Sequence, residues 1–363
     1  MLHVGLDVGS VSVKLAALGA REDSAVLSLL AETSSAFFAP RLPAANGWAE
    51  RPVVCSAYRR IQGNPLQAAS ELLREFYAIV PQESISGIRF TGSGGRTVAA
   101  AFEAEFENDF RTLVRCIRAL YPQVRTVFEM GGEASKYIRL SDVGSSSNLG
   151  VLDYQSSTEC AAGTGSFIDQ QASRLRYDVE DVGEAACHAS CAARVAGRCS
   201  VFAKTDMIHA QQKGYTADQI LRGLCDAVAR NFKSSIVKGR QIATPVAFVG
   251  GVALNAGVYE ALREAFGLRE SDCLVPDLNC WMPALGASIC GVEAGAKRTT
   301  VALHQVPPQI AAGEEIPTTG PLSLNNVTLL NRAPAVALPQ GAGCVDAYLG
   351  IDVGSVSTNL VVL

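Results

Sequence analysis

Leu2-His3-Val4-Gly5-Leu6-Asp7-Val8-Gly9-Ser10-Val11-Ser12-Val13-Lys14-Leu15-Ala16-Ala17-Leu18 is the stretch on which the fold turns. Two apolar arms flank a turn built from Asp7, Gly9, Ser10 and Ser12, which is the pattern of a β-hairpin. Glycine lets a backbone wrap a phosphate, while hydroxyls and N–H groups donate to it. A carboxylate at the end of the first strand can hold Mg²⁺ through water. An ordinary hairpin turn containing Asp and Gly reads the same way, so the stretch needs company. Val124 to Met130 supplies it as a strand running into Gly131-Gly132-Glu133, with Lys136 to Leu140 returning as a second hairpin. Pro245 to Val252 is a buried strand that ends in Gly250-Gly251, before a helix from Asn255 to Phe266.

A different chemistry stands in Glu159-Cys160-Ala161-Ala162-Gly163-Thr164-Gly165-Ser166-Phe167. Gly163-Thr164-Gly165 is a small-residue turn able to bring N–H groups close to a phosphate. Ser166 to Leu175 reads as a helix, so Cys160 sits just ahead of a helix N-terminus, where the macrodipole favours a thiolate. Cys199 likewise directly precedes a helix, Val201 to Lys213. A thiolate serves as a nucleophile, half of a disulfide or a metal ligand. A nucleophile needs a histidine base nearby, and none of the 4 His lies in the Cys160 stretch.

Composition narrows the classes. With 363 residues, 48% of them hydrophobic, the chain can bury a large core. Charged residues make up 18%, the formal net charge is −4 and no run of Lys or Arg occurs, so nucleic acid is not the expected partner. No signal peptide opens the chain and no apolar run is long enough to span a bilayer, which points to the cytoplasm and away from the membrane. Eleven cysteines in such a compartment read as thiols or metal ligands rather than a disulfide framework.

Between these motifs, Gln67 to Ile79 reads as an amphipathic helix, Ile85 to Gly92 as a strand ending in Thr91-Gly92-Ser93-Gly94-Gly95-Arg96, and Phe102 to Leu120 as largely helical. Residues 31–57 lack clear periodicity. Tyr177 to Ala186 reads as a loop and a helix, Thr216 to Ile236 as a long helix, and Pro283 to Ala294 as a last helix rich in small residues. Six of the 15 prolines then fall between Pro307 and Pro339, the mark of a linker. The chain closes on Gly350-Ile351-Asp352-Val353-Gly354-Ser355-Val356-Ser357-Thr358-Asn359-Leu360-Val361-Val362-Leu363, which repeats the opening hairpin. A lone hairpin cannot bury its own face, so a second copy of the domain is expected to begin here.

Three glycine-rich strand ends in this order suggest an α/β, actin-like, two-lobe ATPase fold of the sugar kinase, heat-shock chaperone and actin superfamily. Within it, Glu159 to Phe167 and Cys199-Ser200-Val201-Phe202-Ala203-Lys204-Thr205-Asp206-Met207 resemble signatures of the ATP-dependent activators of 2-hydroxyacyl-CoA dehydratases and benzoyl-CoA reductases, the BadF/BadG/BcrA/BcrD type. The sequence looks like the long tandem-domain members of that family, which also carry two such domains. The resemblance implies an ATPase domain over 1–296, with one lobe at about 1–150 plus 283–296 and the other at about 151–282. A linker over 297–345 and the start of a second copy over 346–363 would follow.

It further implies that ATP hydrolysis drives low-potential one-electron transfer through a 4Fe–4S cluster shared by two domains. Each domain would supply Cys160 and Cys199, in a homodimer or a tandem pseudo-dimer. ATP and Mg²⁺ would bind between the lobes. Gly9, Ser10, Val11, Ser12 and Lys14 belong to the first turn, Gly131 and Gly132 to the second, and Gly163, Thr164 and Gly165 beside the cysteine. Gly250, Gly251 and Asn255 would lie near the nucleoside, with Asp7, Glu129 and Glu133 as the catalytic carboxylates. Glu129 and Glu133 stand where the shorter activators carry Asp and Gln. The electron donor would be reduced ferredoxin or flavodoxin and the acceptor a reductase or dehydratase component. An actin-like small-molecule kinase without a cluster is the alternative, although it leaves Cys160 and Cys199 unexplained. Cys187, Cys191 and Cys199 with His188 lack the tight spacing of structural zinc, so Cys187 and Cys191 read as small buried residues. Cys55, Cys116, Cys225, Cys273, Cys280 and Cys290 read likewise, Lys14 and Lys204 read as surface charges, and His209 as structural.

Overall fold

A computed structural model describes residues 1–295 apart from 46, 143–148, 158–162 and 198; beyond 295 it describes 346–354, 357–362 and a few isolated positions. Cys160 and most of the proline-rich segment therefore lie outside the described residues. The chain divides into two compact units, Met1–Ile310 and Ala311–Leu363.

The first unit holds two sheets. In one, β1 (Leu2–Val8) pairs antiparallel with β2 (Ser12–Leu18) and parallel with β6 (Ile85–Thr91), while β3 (Phe37–Phe38), β4 (Val53–Ser56), β5 (Arg59–Arg60) and β7 (Glu105–Phe106) complete its edges. In the other, β8 (Thr126–Met130), β9 (Ser135–Leu140) and β10 (Val151–Ser157) form a meander, and β11 (Val246–Val249) joins β8 in parallel, followed by β12 (Cys273–Leu274). The second sheet thus begins at Thr126, inside the span 1–150 expected for the first lobe, because β8 takes β11 as its neighbour.

Helices cover both sheets. Alongside the first run α1 (Ser24–Thr33), α2 (Pro65–Tyr77), α3 (Gly95–Ala101) and α4 (Asp109–Leu120). The long helix expected from Phe102 is broken by β7 and restarts at Asn108, whose side chain accepts from the N–H groups of Phe110 and Arg111 as an N-cap. With the second sheet go α5 (Gly165–Arg174), α6 (Val182–His188), α7 (Ser200–Gln212), α8 (Ala217–Asn231) and α9 (Ala256–Phe266). α8 continues as a π-helical turn, Phe232–Val237. α10 (Met282–Ala294) returns to the first sheet. Its small residues admit close contact: a Cβ on Gly5 would lie 2.0 Å from the Ala284 carbonyl oxygen, and Ser288 Oγ donates to Ala16 O at 2.8 Å.

Cys55, Cys116, Cys225, Cys273, Cys280 and Cys290 are buried, as the sequence suggests. Cys187 and Cys191 are exposed instead, since α6 ends at His188 and releases the chain to the surface. Burial pushes the Cys225 thiol up to about 12 and those of Cys273, Cys280 and Cys290 to about 11, with Cys55 and Cys116 raised further. An unfolded thiol ionises from about pH 9, while these folded ones stay protonated. Unfolding then releases protons, so each thiol lowers the stability as pH rises from its unfolded value towards its folded one. The urea midpoint is expected to hold level from pH 7 to 8 and to fall steeply above pH 9, less steeply in Cys116→Ala. A level midpoint through pH 10 would contradict this.

Candidate functional site

The first hairpin places Asp7 opposite Lys14 across β1–β2. The second places Glu129 opposite Lys136 across β8–β9. Each turn closes alike: Gly9 N–H donates to Ser12 O at 3.0 Å and Gly131 N–H to Ala134 O at 2.8 Å. The two sheets therefore present matching turns, each with a carboxylate on the first strand and an ammonium on the return.

Lys14 is buried, contrary to the surface charge that its type suggests, and its Nζ lies 2.9 Å from Asp7 Oδ2. Burial alone would lower its pKa, but the Asp7 carboxylate outweighs that and raises it. Lys136 Nζ sits 2.7 Å from both Glu129 Oε2 and Asp109 Oδ2. Burial opposes its charge as well, and the two carboxylates again win and raise its pKa. Lys136 and Asp109 escape a reading by motif. Their signal was the cross-strand register of the second hairpin and the Asp that follows the Asn108 cap.

The turns face one another across a cleft. A Cβ on Gly132 would meet Val11 Cγ2 at 2.4 Å, so only glycine lets them approach this closely. Gly250, at φ +92°, packs on the second turn, and a Cβ there would lie 2.3 Å from Met130 O. One cavity of about 110 Å³ is lined by Asp7, Gly9, Ser10, Val11, Ser12, Lys14, Glu129, Gly131, Gly132, Glu133, Lys136, Gly250 and Gly251. A second, of about 430 Å³ and largely apolar, shares Val11, Tyr58, Gly131, Gly132 and Gly251 with it and adds Gly165, Ile168, Val252 and Asn255. The shared residues make the two neighbouring parts of one cleft, the smaller lined by charged groups and the larger mostly apolar. At the rim Arg60 donates to Asp169 at 3.1 Å and lies 3.5 Å from Glu180, tying β5 to α5.

Gly163 and Thr164 line neither cavity. The N–H groups of Gly165 and Ser166 are already engaged, donating to Gly131 O at 2.9 Å and Gly132 O at 2.8 Å, while Ser135 Oγ donates to Gly163 O at 3.1 Å. This segment is stitched to the second turn, and Gly165 and Ser166 are the part of it that lines the larger cavity. Cys199, half-buried, is the N-cap of α7, and its side chain makes no capping hydrogen bond.

The model of the BadF/BadG/BcrA/BcrD ATPase family matches residues 4–290. The chain belongs to this family of ATPases. Among BadF/BadG/BcrA/BcrD relatives, the 2-hydroxyisocaproyl-CoA dehydratase activator of Clostridioides difficile is 27% identical over 62% of this chain and 82% of its own length. A benzoyl-CoA reductase component from Thauera aromatica is 25% identical over 61% of this chain and 77% of its own. A solved structure of an activator of the 2-hydroxyisocaproyl-CoA dehydratase from Clostridium difficile, with bound ADPNP, superposes at a TM-score of 0.63. At 24% identity it covers 81% of this chain and 96% of that one, and it establishes the α/β actin-like fold. No helix among the described residues is long and apolar enough to cross a membrane.

Proposed function

We propose that ATP turnover in this cleft gates low-potential, one-electron delivery to a 2-hydroxyacyl-CoA dehydratase or benzoyl-CoA reductase-like component. The observation that carries the reading is the stitch from the second turn to the chain just after Cys160. Gly131 O, Gly132 O and Ser135 Oγ hold Gly165, Ser166 and Gly163. A γ-phosphate that comes or goes at Gly131-Gly132 moves the start of α5 with it, which is a two-state device driven by differential contacts.

In this reading Gly9, Ser10, Ser12, Gly131 and Gly132 hold the phosphates, and Gly250, Gly251 and Asn255 border the nucleoside. Mg²⁺ suits the carboxylate oxygens at the phosphate end. Lys14 and Lys136 already neutralise two of those groups, so no all-protein cage forms. That fits an ion that keeps its waters and arrives on the nucleotide. Cys199 suits a 4Fe–4S cluster: its thiol is not spent on capping, and the first N–H groups of α7 favour an anion there. Cys160 and Cys199 give two ligands per domain, so a second domain must complete the set. The cluster, when bound, supplies one-electron transfer; α5 and α7 orient its ligands.

A second copy starting at 346 would provide that domain within one polypeptide. β13 (Leu349–Val353) and β14 (Thr358–Val362) repeat the register of the first hairpin, with Asp352 opposite Asn359 and Gly354 N–H donating to Ser357 O at 2.9 Å. All nine described cysteines are free thiols, which supports a cytoplasmic, reducing setting; in this reading the donor is a reduced ferredoxin or flavodoxin. The test is iron and acid-labile sulfide after anaerobic purification. About two iron atoms per ATPase domain are expected, lost in both Cys160→Ser and Cys199→Ser. Iron retained in either variant would remove that residue as a ligand. A full tandem chain without iron would end the cluster reading.

A further inference from the structure

Among the helices of the second sheet is a recess of about 900 Å³ that shares no lining residue with the cleft cavities. Its walls are the C-terminal half of α7, the end of α8 with its π-helical turn, and the chain at 193–197. That third wall is pinned on both flanks. A Cβ on Gly223 would lie 1.9 Å from Ala193 O, and one on Gly197 would lie 2.3 Å from Ala227 O. Ala193 N–H donates to Gln219 O at 2.9 Å, Ala196 N–H to Asp206 Oδ2 at 2.9 Å, and Arg230 to Val195 O at 3.0 Å. Two glycines and three hydrogen bonds thus press an arginine-bearing segment against α7 and α8.

Arg194, His209, Lys213 and Arg230 line the space. None of them forms an ion pair with a described carboxylate. Asp206, which also lines it, already accepts from Ala196. A chain of net charge −4 has gathered three permanent cations at one concavity with no carboxylate paired to them among the described residues. Their mutual repulsion is relieved by an anion, and the planar guanidinium of Arg194 suits a carboxylate or phosphate. The volume falls in the range of small-molecule sites, and Tyr215, 37% exposed, offers apolar surface to a carbon skeleton.

We propose that this recess binds a small organic polyanion bearing carboxylate or phosphate groups, separately from the nucleotide. The site lies two residues before Cys199, yet the inference rests on no property of the cysteines. Isothermal titration of the ADPNP-saturated chain, with citrate in one arm and inorganic tripolyphosphate in the other at constant free Mg²⁺, reads it directly. One saturable site per chain is expected for at least one probe, weakened about tenfold or more in Arg194→Gln/Lys213→Gln. ATP hydrolysis and the melting temperature of that variant should match wild type, since both side chains are exposed and neither lines the cleft cavities. Absence of saturable uptake of both probes by wild type would overturn the proposal. So would equal binding by the variant.

Discussion

Lys136→Met is expected to lower the stability of the folded chain by about 3 kcal/mol, the largest effect of any single cleft substitution. The ammonium is buried between Glu129 and Asp109 at 2.7 Å from each, and methionine keeps the volume while deleting the charge. What remains is a pair of carboxylates facing each other with no counter-ion, one of them only 14% exposed. Stranding a buried partner costs far more than the intact pair contributes, because the desolvation penalty stays when the attraction goes. A urea titration checks the size, and Glu129→Gln added on top provides the diagnostic. If the stranded charge is the cause, the second substitution restores stability instead of lowering it further. A loss below about 1 kcal/mol, or simple additivity, would show that water reaches the triad and screens it.

Glu133→Gln is expected to cut ATP hydrolysis by about 10²–10³-fold while nucleotide affinity changes by no more than about threefold. Four carboxylates line the cavity, and the choice among them follows from their partners. Asp7 is tied to Lys14, and Glu129 and Asp109 are both tied to Lys136, so each of these three holds an ammonium. Glu133 lines the same cavity, is exposed to it, and makes no ion pair among the described residues. We propose it as the carboxylate that orients and deprotonates water. Steady-state turnover and binding of a fluorescent nucleotide separate the outcomes. A variant that keeps more than about a tenth of the turnover would move the role to Asp7 or Glu129.

Much of the cleft was legible from residue type and order. Asp7-Val8-Gly9-Ser10, Glu129-Met130-Gly131-Gly132 and Val249-Gly250-Gly251 announce strand ends that need glycine, and the structure brings all three together. What escaped depended on pairing across space. Lys14 looks like a solvated charge until the hairpin register sets it against Asp7. α1 escaped because only Leu27 and Leu30 of its ten residues are buried, too few for a periodic stripe. The N–H groups of the Gly163-Thr164-Gly165 turn read as phosphate donors because sequence shows their type but not that Gly131 O already accepts from Gly165. Cys187 and Cys191 show the reverse failure: a small apolar side chain is no guarantee of burial where a helix stops.

The hairpin of β13 and β14 also bears on how this polypeptide behaves in a tube. Leu349, Ile351, Leu360 and Val362 are each at least 60% exposed, on two strands whose outer edges have no neighbour in their sheet. Bare edges with apolar flanks invite another chain to add a strand. Self-association measured on this 363-residue form would then report stickiness of the tail as much as any contact made by the ATPase portion. Particle size read by light scattering should fall when Ile351 and Leu360 are changed to lysine, and only the association that survives speaks to how two ATPase portions meet.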